Sequence, residues 1–104
     1  MYVLEATNGP LDGKRWHFES SIEVGRDAAL VQASLPVDSA VSRRHARVEA
    51  DANGVRVLDL NSSNGTIVAG KPIAAGAPVQ LGEPFIVGRT RLRVLRATAP
   101  SEEP

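Results

Sequence analysis

Short runs of β-prone residues recur along the chain between turn signals, and no segment shows a long helical period. The runs are Tyr2 to Ala6, Arg15 to Phe18, Ile22 to Val24, Ala46 to Ala50, Val55 to Leu60, Thr66 to Val68, Val79 to Leu81, Phe85 to Val87 and Leu92 to Leu95. Alternation sets Val55, Val57 and Asp59 against Arg56, Leu58 and Leu60. It sets Leu92 and Val94 against Arg91 and Arg93, the cleaner half-buried pattern. Asn8-Gly9-Pro10, Asp12-Gly13, Asn53-Gly54, Asn64-Gly65 and Gly82 to Pro84 supply the positive-φ or proline-fixed positions that hairpins need. Asp27 to Ser34 is the one stretch where a turn of helix fits. This spacing predicts an all-β antiparallel sandwich or barrel over residues 1–96. Residues 97–104, Ala-Thr-Ala-Pro-Ser-Glu-Glu-Pro, read as a flexible tail or linker.

Composition narrows the function classes. A chain of 104 residues has room for one domain and one core, and 42% hydrophobic with 23% charged content suits a soluble globular protein. With no cysteine there is neither a disulfide framework nor a thiolate metal site, and two histidines make a poor zinc set, so no metal or cofactor is expected. No apolar run approaches a membrane span and the N-terminus lacks the build of a signal peptide, which predicts a cytoplasmic protein without a membrane partner. The formal charge is zero, which argues against a general binder of nucleic acid. Residues 1–96 nevertheless hold all 12 basic groups against ten acidic ones, a net of about +2, because Glu102 and Glu103 lie in the tail. Arg26, Arg43, Arg44 and Arg47 fall near two of three motifs in the chain. A local positive site on a near-neutral domain favours a small anionic ligand.

Three motifs follow one another, each at the end of a strand-like run: Gly25-Arg26, then Ser42-Arg43-Arg44-His45, then Asp59-Leu60-Asn61-Ser62-Ser63-Asn64-Gly65-Thr66. Together they supply a guanidinium, a hydroxyl beside a second guanidinium, and a hydroxyl beside a carboxamide. That inventory can hold a phosphate and the peptide that carries it. Each motif also has an ordinary reading: a solvated arginine after a strand, a serine capping a turn, an Asn-Gly hairpin. Arg44 reads as a solvated or strand-edge charge, and Gly88-Arg89 as an arginine in a tight turn. Ser42, His45 and Asp59 could be combined into a catalytic triad, but the flanks of Ser42 lack the strained elbow a nucleophile uses, so no enzyme is expected. Gly9 to Lys14 is one residue short of a P-loop and leads into a strand rather than a helix.

In this order and spacing the motifs resemble a forkhead-associated (FHA) domain across roughly residues 2–96. The resemblance implies a sandwich of two twisted antiparallel sheets, about eleven strands in all, with recognition loops gathered at one end. It implies a non-catalytic phosphothreonine-peptide recognition module in Ser/Thr kinase signalling. Arg26 and Ser42 would bind the phosphate, Arg43 would contact the peptide, Ser63 would reach the phosphoresidue and Asn64 the peptide backbone. Gly25, His45 and Gly65 would support the loops. Two positions depart from the family's pattern: Asp27-Ala28-Ala29-Leu30 replaces a polar run, and Ala40 replaces a basic group that selects an acidic flanking residue in some members. The alternative is a structural or protein-interaction sandwich that binds partners without phosphate. A monomer is expected, with phosphate-dependent self-association through Thr98 as a further option.

Overall fold

A computed structural model describes residues 1–97. Among them eleven strands form: β1 (Tyr2–Ala6), β2 (Arg15–Phe18), β3 (Ser21–Gly25), β4 (Ala33–Ser34), β5 (Ala46–Asp51), β6 (Gly54–Asp59), β7 (Thr66–Val68), β8 (Lys71–Pro72), β9 (Gly76–Val79), β10 (Phe85–Val87) and β11 (Thr90–Arg96). A 3-10 turn at Gly9–Leu11 links β1 to β2. The strands assemble into a six-stranded sheet, ordered β2-β1-β11-β10-β7-β8, and a five-stranded sheet, ordered β4-β3-β5-β6-β9. This is the all-β sandwich expected. Its pairings are antiparallel except for the short parallel contact of β3 with β4. The tail 98–104, including Thr98, lies outside the described residues.

Period-two burial explains why these residues form strands. In β5, Ala46, Val48 and Ala50 are buried while Arg47 and Glu49 face outward; in β11, Leu92 and Val94 are buried between the more exposed Arg91 and Arg93. The inward sets meet in one core with Leu4, Phe18, Ile22, Val24, Val57, Phe85 and Val87 at its centre. Each fully buried aliphatic or aromatic side chain stabilises the sandwich by roughly 1.5–3 kcal/mol. On the outer face of β1, Glu5 sits opposite Arg15 of β2 and Arg93 of β11 and bonds to both, at 2.8 and 2.7 Å. Those two guanidiniums hold its carboxyl below the usual range, against the opposing effect of burial.

Four expectations need correcting. The run Val79 to Leu81 is displaced: β9 ends at Val79, and Leu81 is exposed. It pairs with β6 through Pro78, as an edge strand can. β4 and β8 carry no sequence signal because each has two residues, one pair joined in parallel and the other containing proline. In Asp27 to Ser34 there is only a turn, closed by the Leu30 and Val31 N–H groups on the Asp27 carbonyl, before the chain enters β4. Asn64-Gly65 is not a hairpin turn, because β6 and β7 belong to different sheets.

The tight hairpin instead joins β7 to β8 through Ala69 and Gly70, both left-handed at φ 54° and 79°. That is the geometry of a type I′ turn, which favours Asn-Gly. Alanine pays about 1 kcal/mol there that asparagine largely avoids. Ala69→Asn should therefore raise stability by about 0.5–1 kcal/mol, read as an upward shift in thermal midpoint.

Candidate functional site

The site begins with a close approach that only glycine permits. At Gly25, the last residue of β3, an added Cβ would collide with the carbonyl oxygen of Arg43 and lie 2.8 Å from its carbonyl carbon. The next two residues then bond to the same segment: Arg26 N–H to the Ser42 carbonyl at 3.0 Å and Asp27 N–H to the Arg43 carbonyl at 3.3 Å. The β3–β4 loop and the β4–β5 loop are thereby laid side by side. The Arg26 side chain donates through Nε to the Val41 carbonyl at 3.0 Å, which fixes the stem and leaves the terminal nitrogens of an exposed guanidinium uncommitted.

His45, at the foot of β5, has no solvent exposure. Its Nδ1 accepts the Ser42 backbone N–H at 3.0 Å, so the ring proton sits on Nε2, which donates to the Gly65 carbonyl at 2.8 Å. One imidazole thus joins the second motif to the third. The Ser42 hydroxyl in turn accepts the Ser63 N–H at 3.0 Å, which leaves its own proton free to donate outward. Neither nitrogen of His45 meets the Ser42 hydroxyl, and Asp59 bonds elsewhere. The triad arrangement is absent.

The β6–β7 loop is wound around Asp59. Its carboxylate accepts the Ser62 N–H at 3.0 Å, the Ser62 hydroxyl and the Thr66 hydroxyl, while Ser62 Oγ accepts the Gly65 N–H at 2.9 Å. Burial pushes the Asp59 carboxyl up, but the Ser62 and Thr66 donors outweigh it and hold the pKa below the ordinary value. Asn61 takes the left-handed conformation, φ 61°, that asparagine tolerates. The loop ends with Ser63 and Asn64 exposed. Asn64 Nδ2 donates to the Ala40 carbonyl at 2.8 Å, and its amide oxygen has no partner among the described residues.

A second carboxylate does the same for the β4–β5 loop. Asp38 accepts the Ala40 N–H at 3.0 Å, the Arg89 N–H at 2.8 Å and the Thr90 hydroxyl at 2.7 Å, so it ties the loop to the β10–β11 turn of the opposite sheet. Burial raises its pKa and the three donors, aided by the Arg89 charge, lower it further than that. Gly88 is more than a tight-turn residue: at φ 63° it lets the turn approach so closely that a Cβ would lie 2.5 Å from Val41 Cγ2. Asp38 carries no sequence signal of this role, since two of its three partners lie some fifty residues away in the chain, whereas Ser62 and Thr66 belong to the third motif and bond its Asp59.

Of the four clustered arginines, two belong elsewhere. Arg44 donates twice to Glu23 at 3.0 and 2.9 Å, and Arg47 bonds the same carboxylate at 3.0 Å. Glu23 is buried enough to raise its pKa, but Arg47 and Arg44 bring it below the usual range. Arg26 and Arg43 have no carboxylate partner among the described residues. The structure therefore brings Arg26, Ser42, Arg43, Ser63 and Asn64 to adjoining loops at one end of the sandwich, over a scaffold made by Gly25, His45, Gly65 and the two aspartates.

The loops at this end of the sandwich thus present unpaired donors over a buried, hydrogen-bonded scaffold. The FHA domain model matches residues 22–88, more than half of the sequence, and the chain belongs to the FHA domain family. The FHA domain of CT664 from Chlamydia trachomatis superposes with a TM-score of 0.83 at 26% identity, over 93% of this chain and 98% of that one. An FHA domain solved for the analysis of phosphothreonine-dependent interactions matches at 0.77 and 29% identity, over 94% and 98%. The FhaA FHA domain, complexed with the intracellular domain of Rv3910, matches at 0.75 and 30% identity, over 90% and 99%. No curated protein sequence gives a significant match.

Two outcomes follow from the scaffold. Gly25→Ala must push the two loops apart and should cost roughly 3 kcal/mol or more of stability, measured by chemical denaturation. Asp38, Asp59 and Glu5 all have folded pKa values below their unfolded ones, so their stabilisation is present in full above the unfolded carboxylate range and is lost as pH falls through the folded values. Thermal midpoints should be level from pH 7 to 5 and then decline. Asp38→Asn should lower the midpoint at pH 7 while flattening that acid limb.

Proposed function

We propose that this domain binds phosphothreonine peptides, without catalysis, as a reader of Ser/Thr kinase signalling in the cytoplasm. The observation that carries the reading is the bonding around Ser42. Its carbonyl is fixed by the Arg26 N–H and its hydroxyl oxygen by the Ser63 N–H, so the hydroxyl proton and the free end of Arg26 are unspent donors on adjoining loops. A phosphate dianion satisfies such donors with charge-assisted bonds. Arg43 adds a second unpaired cation, the Ser63 hydroxyl a further donor, and the Asn64 amide oxygen can accept a peptide N–H. The phosphothreonine-dependent interactions of an FHA domain that is 29% identical support the same assignment. The described residues contain no helix long and apolar enough to cross a membrane, and no carboxylate or histidine cluster fit for a metal.

Phosphothreonine brings about −1.5 to −2 charge and three acceptor oxygens at pH 7, against one charge and two oxygens for glutamate. Calorimetry on one peptide in four forms should rank phosphothreonine first, phosphoserine several-fold weaker for want of a methyl worth about 0.8 kcal/mol, and glutamate and threonine far behind. Because the second phosphate ionisation lies near pH 6, affinity should decline below it. Arg26→Ala should cost about 2–5 kcal/mol of binding and leave the thermal midpoint nearly unchanged. Equal affinity for phosphorylated and unmodified peptide would overturn this reading in favour of a phosphate-independent interaction sandwich.

A further inference from the structure

The outer faces of the two sheets differ in how their charges are met. On the five-stranded sheet Glu23 takes both Arg44 and Arg47, Arg47 also reaches Glu49, and register sets Arg56 opposite Glu49. On the six-stranded sheet the alternation that buries Leu92, Val94, Phe85, Val87 and Val68 turns Arg91, Arg93, Ile86 and Ile67 outward. Arg15 and Arg93 share the single carboxylate of Glu5, and Arg91 has no carboxylate partner among the described residues. Strands β2, β1 and β11 therefore carry three outward guanidiniums against one carboxylate. Apolar surface adjoins that surplus. Ile86 is 37% exposed, the one large hydrophobic exposed within a strand among the described residues, since Met1, Leu30, Val37 and Leu81 lie outside the strands. Register sets it between Arg91 of β11 and Ile67 of β7. These three, with Pro84 and the Ala69-Gly70 turn, line a hollow of about 200 Å³ on the flank of the sheet, and no residue of the three motifs takes part in it. A cavity of about 150 Å³ accommodates benzene, so the hollow has room for one leucine-sized side chain.

Charge complementarity selects the occupant. An aliphatic side chain seated against Ile67 and Ile86 brings its chain neighbours over Arg91 and Arg93, where carboxylates meet guanidiniums and ammonium groups are repelled. Arginine suits that task, because its stem packs on hydrocarbon while its planar end takes a carboxylate in two bonds. A nucleic acid fits poorly. Three guanidiniums, two of them already engaged by Glu5, offer few phosphate contacts, and the hollow itself is lined mostly by carbon. We propose that the outer face of β7, β10 and β11 is a docking surface for an acidic protein segment in which a leucine-sized side chain is flanked by carboxylates. The contact needs no phosphorylation and is separate from the recognition loops.

The test follows nitrogen-15 amide shifts of the full chain during titration with the peptide Asp-Glu-Leu-Glu-Asp, blocked at both ends, and with two relatives, Asp-Glu-Ala-Glu-Asp and Lys-Lys-Leu-Lys-Lys. The first should move the amides of Ile67, Ile86 and Arg91. The alanine form should bind there about fivefold more weakly for want of the isobutyl group, and the lysine form should not bind there. Arg91→Glu should reverse the order of the acidic and basic peptides, while the amides of β5, on the other sheet, keep their positions and report an intact fold. Shifts at Ile67 and Ile86 that are absent with the acidic peptide, equal with the basic one, or undiminished in Arg91→Glu overturn the docking surface. An oligonucleotide or a phosphatidylserine vesicle that moves those amides at lower concentration than the acidic peptide also overturns it, in favour of that other partner. In the ligand-free chain, Glu102→Lys combined with Glu103→Lys should leave the three amides where they are; a shift there would make the chain's own acidic tail the occupant and end the proposal of a partner. None of these arms uses a phosphopeptide, so the outcome stands whether or not the phosphothreonine reading holds.

Discussion

Everything at the recognition end depends on one buried imidazole with both nitrogens engaged. His45 bonds the Ser42 amide on one side and the Gly65 carbonyl on the other, and so couples a loop of the five-stranded sheet to the connection that crosses into the six-stranded sheet. A hydrocarbon could fill that space but could not satisfy either backbone group, and an unpaired buried amide or carbonyl costs about 1–3 kcal/mol. The ring must be neutral for Nδ1 to accept, so the fold fixes the tautomer as well as the position.

The two aspartates extend the same logic outward. Loops cannot be held by hydrophobic packing alone, because their backbone groups need partners and they bury little apolar area. Asp59 and Asp38 each collect three donors, turning flexible connections into closed rings of hydrogen bonds. What remains unbonded is thereby selected: the Ser42 proton, the ends of Arg26 and Arg43, one side of Asn64. Donors fixed in advance spare a ligand the cost of ordering them, about 0.5–1.5 kcal/mol for each immobilised side chain.

The sequence was legible where one period or one backbone constraint acted alone. β1, β2, β7 and β10 fall on the β-prone runs read between turn signals. Gly25-Arg26 and Ser42 to His45 were visible because their residue types are demanding. Legibility failed where the partner was remote. Asp38 reads as an unremarkable loop acid until Thr90 arrives across the sandwich, and Leu11 and Val37 become neighbours only when both sheets are assembled. The Ala69-Gly70 turn was silent for the opposite reason, because alanine is a poor choice for the conformation it adopts. Arg44 reads from sequence as a strand-edge charge, but Arg47 is set apart from Arg26 and Arg43 only by register, which places it opposite Glu23.

Rigidity of the empty loops is the property on which recognition by this scaffold turns, and nitrogen-15 relaxation measures it directly. In the ligand-free protein the amides of Ser42, Ser63 and Gly65 should show order parameters near 0.85, comparable to the strands, and change little when a phosphothreonine peptide saturates the domain. Values below about 0.6 that rise only on binding would contradict a preformed site and place the ordering in the ligand instead.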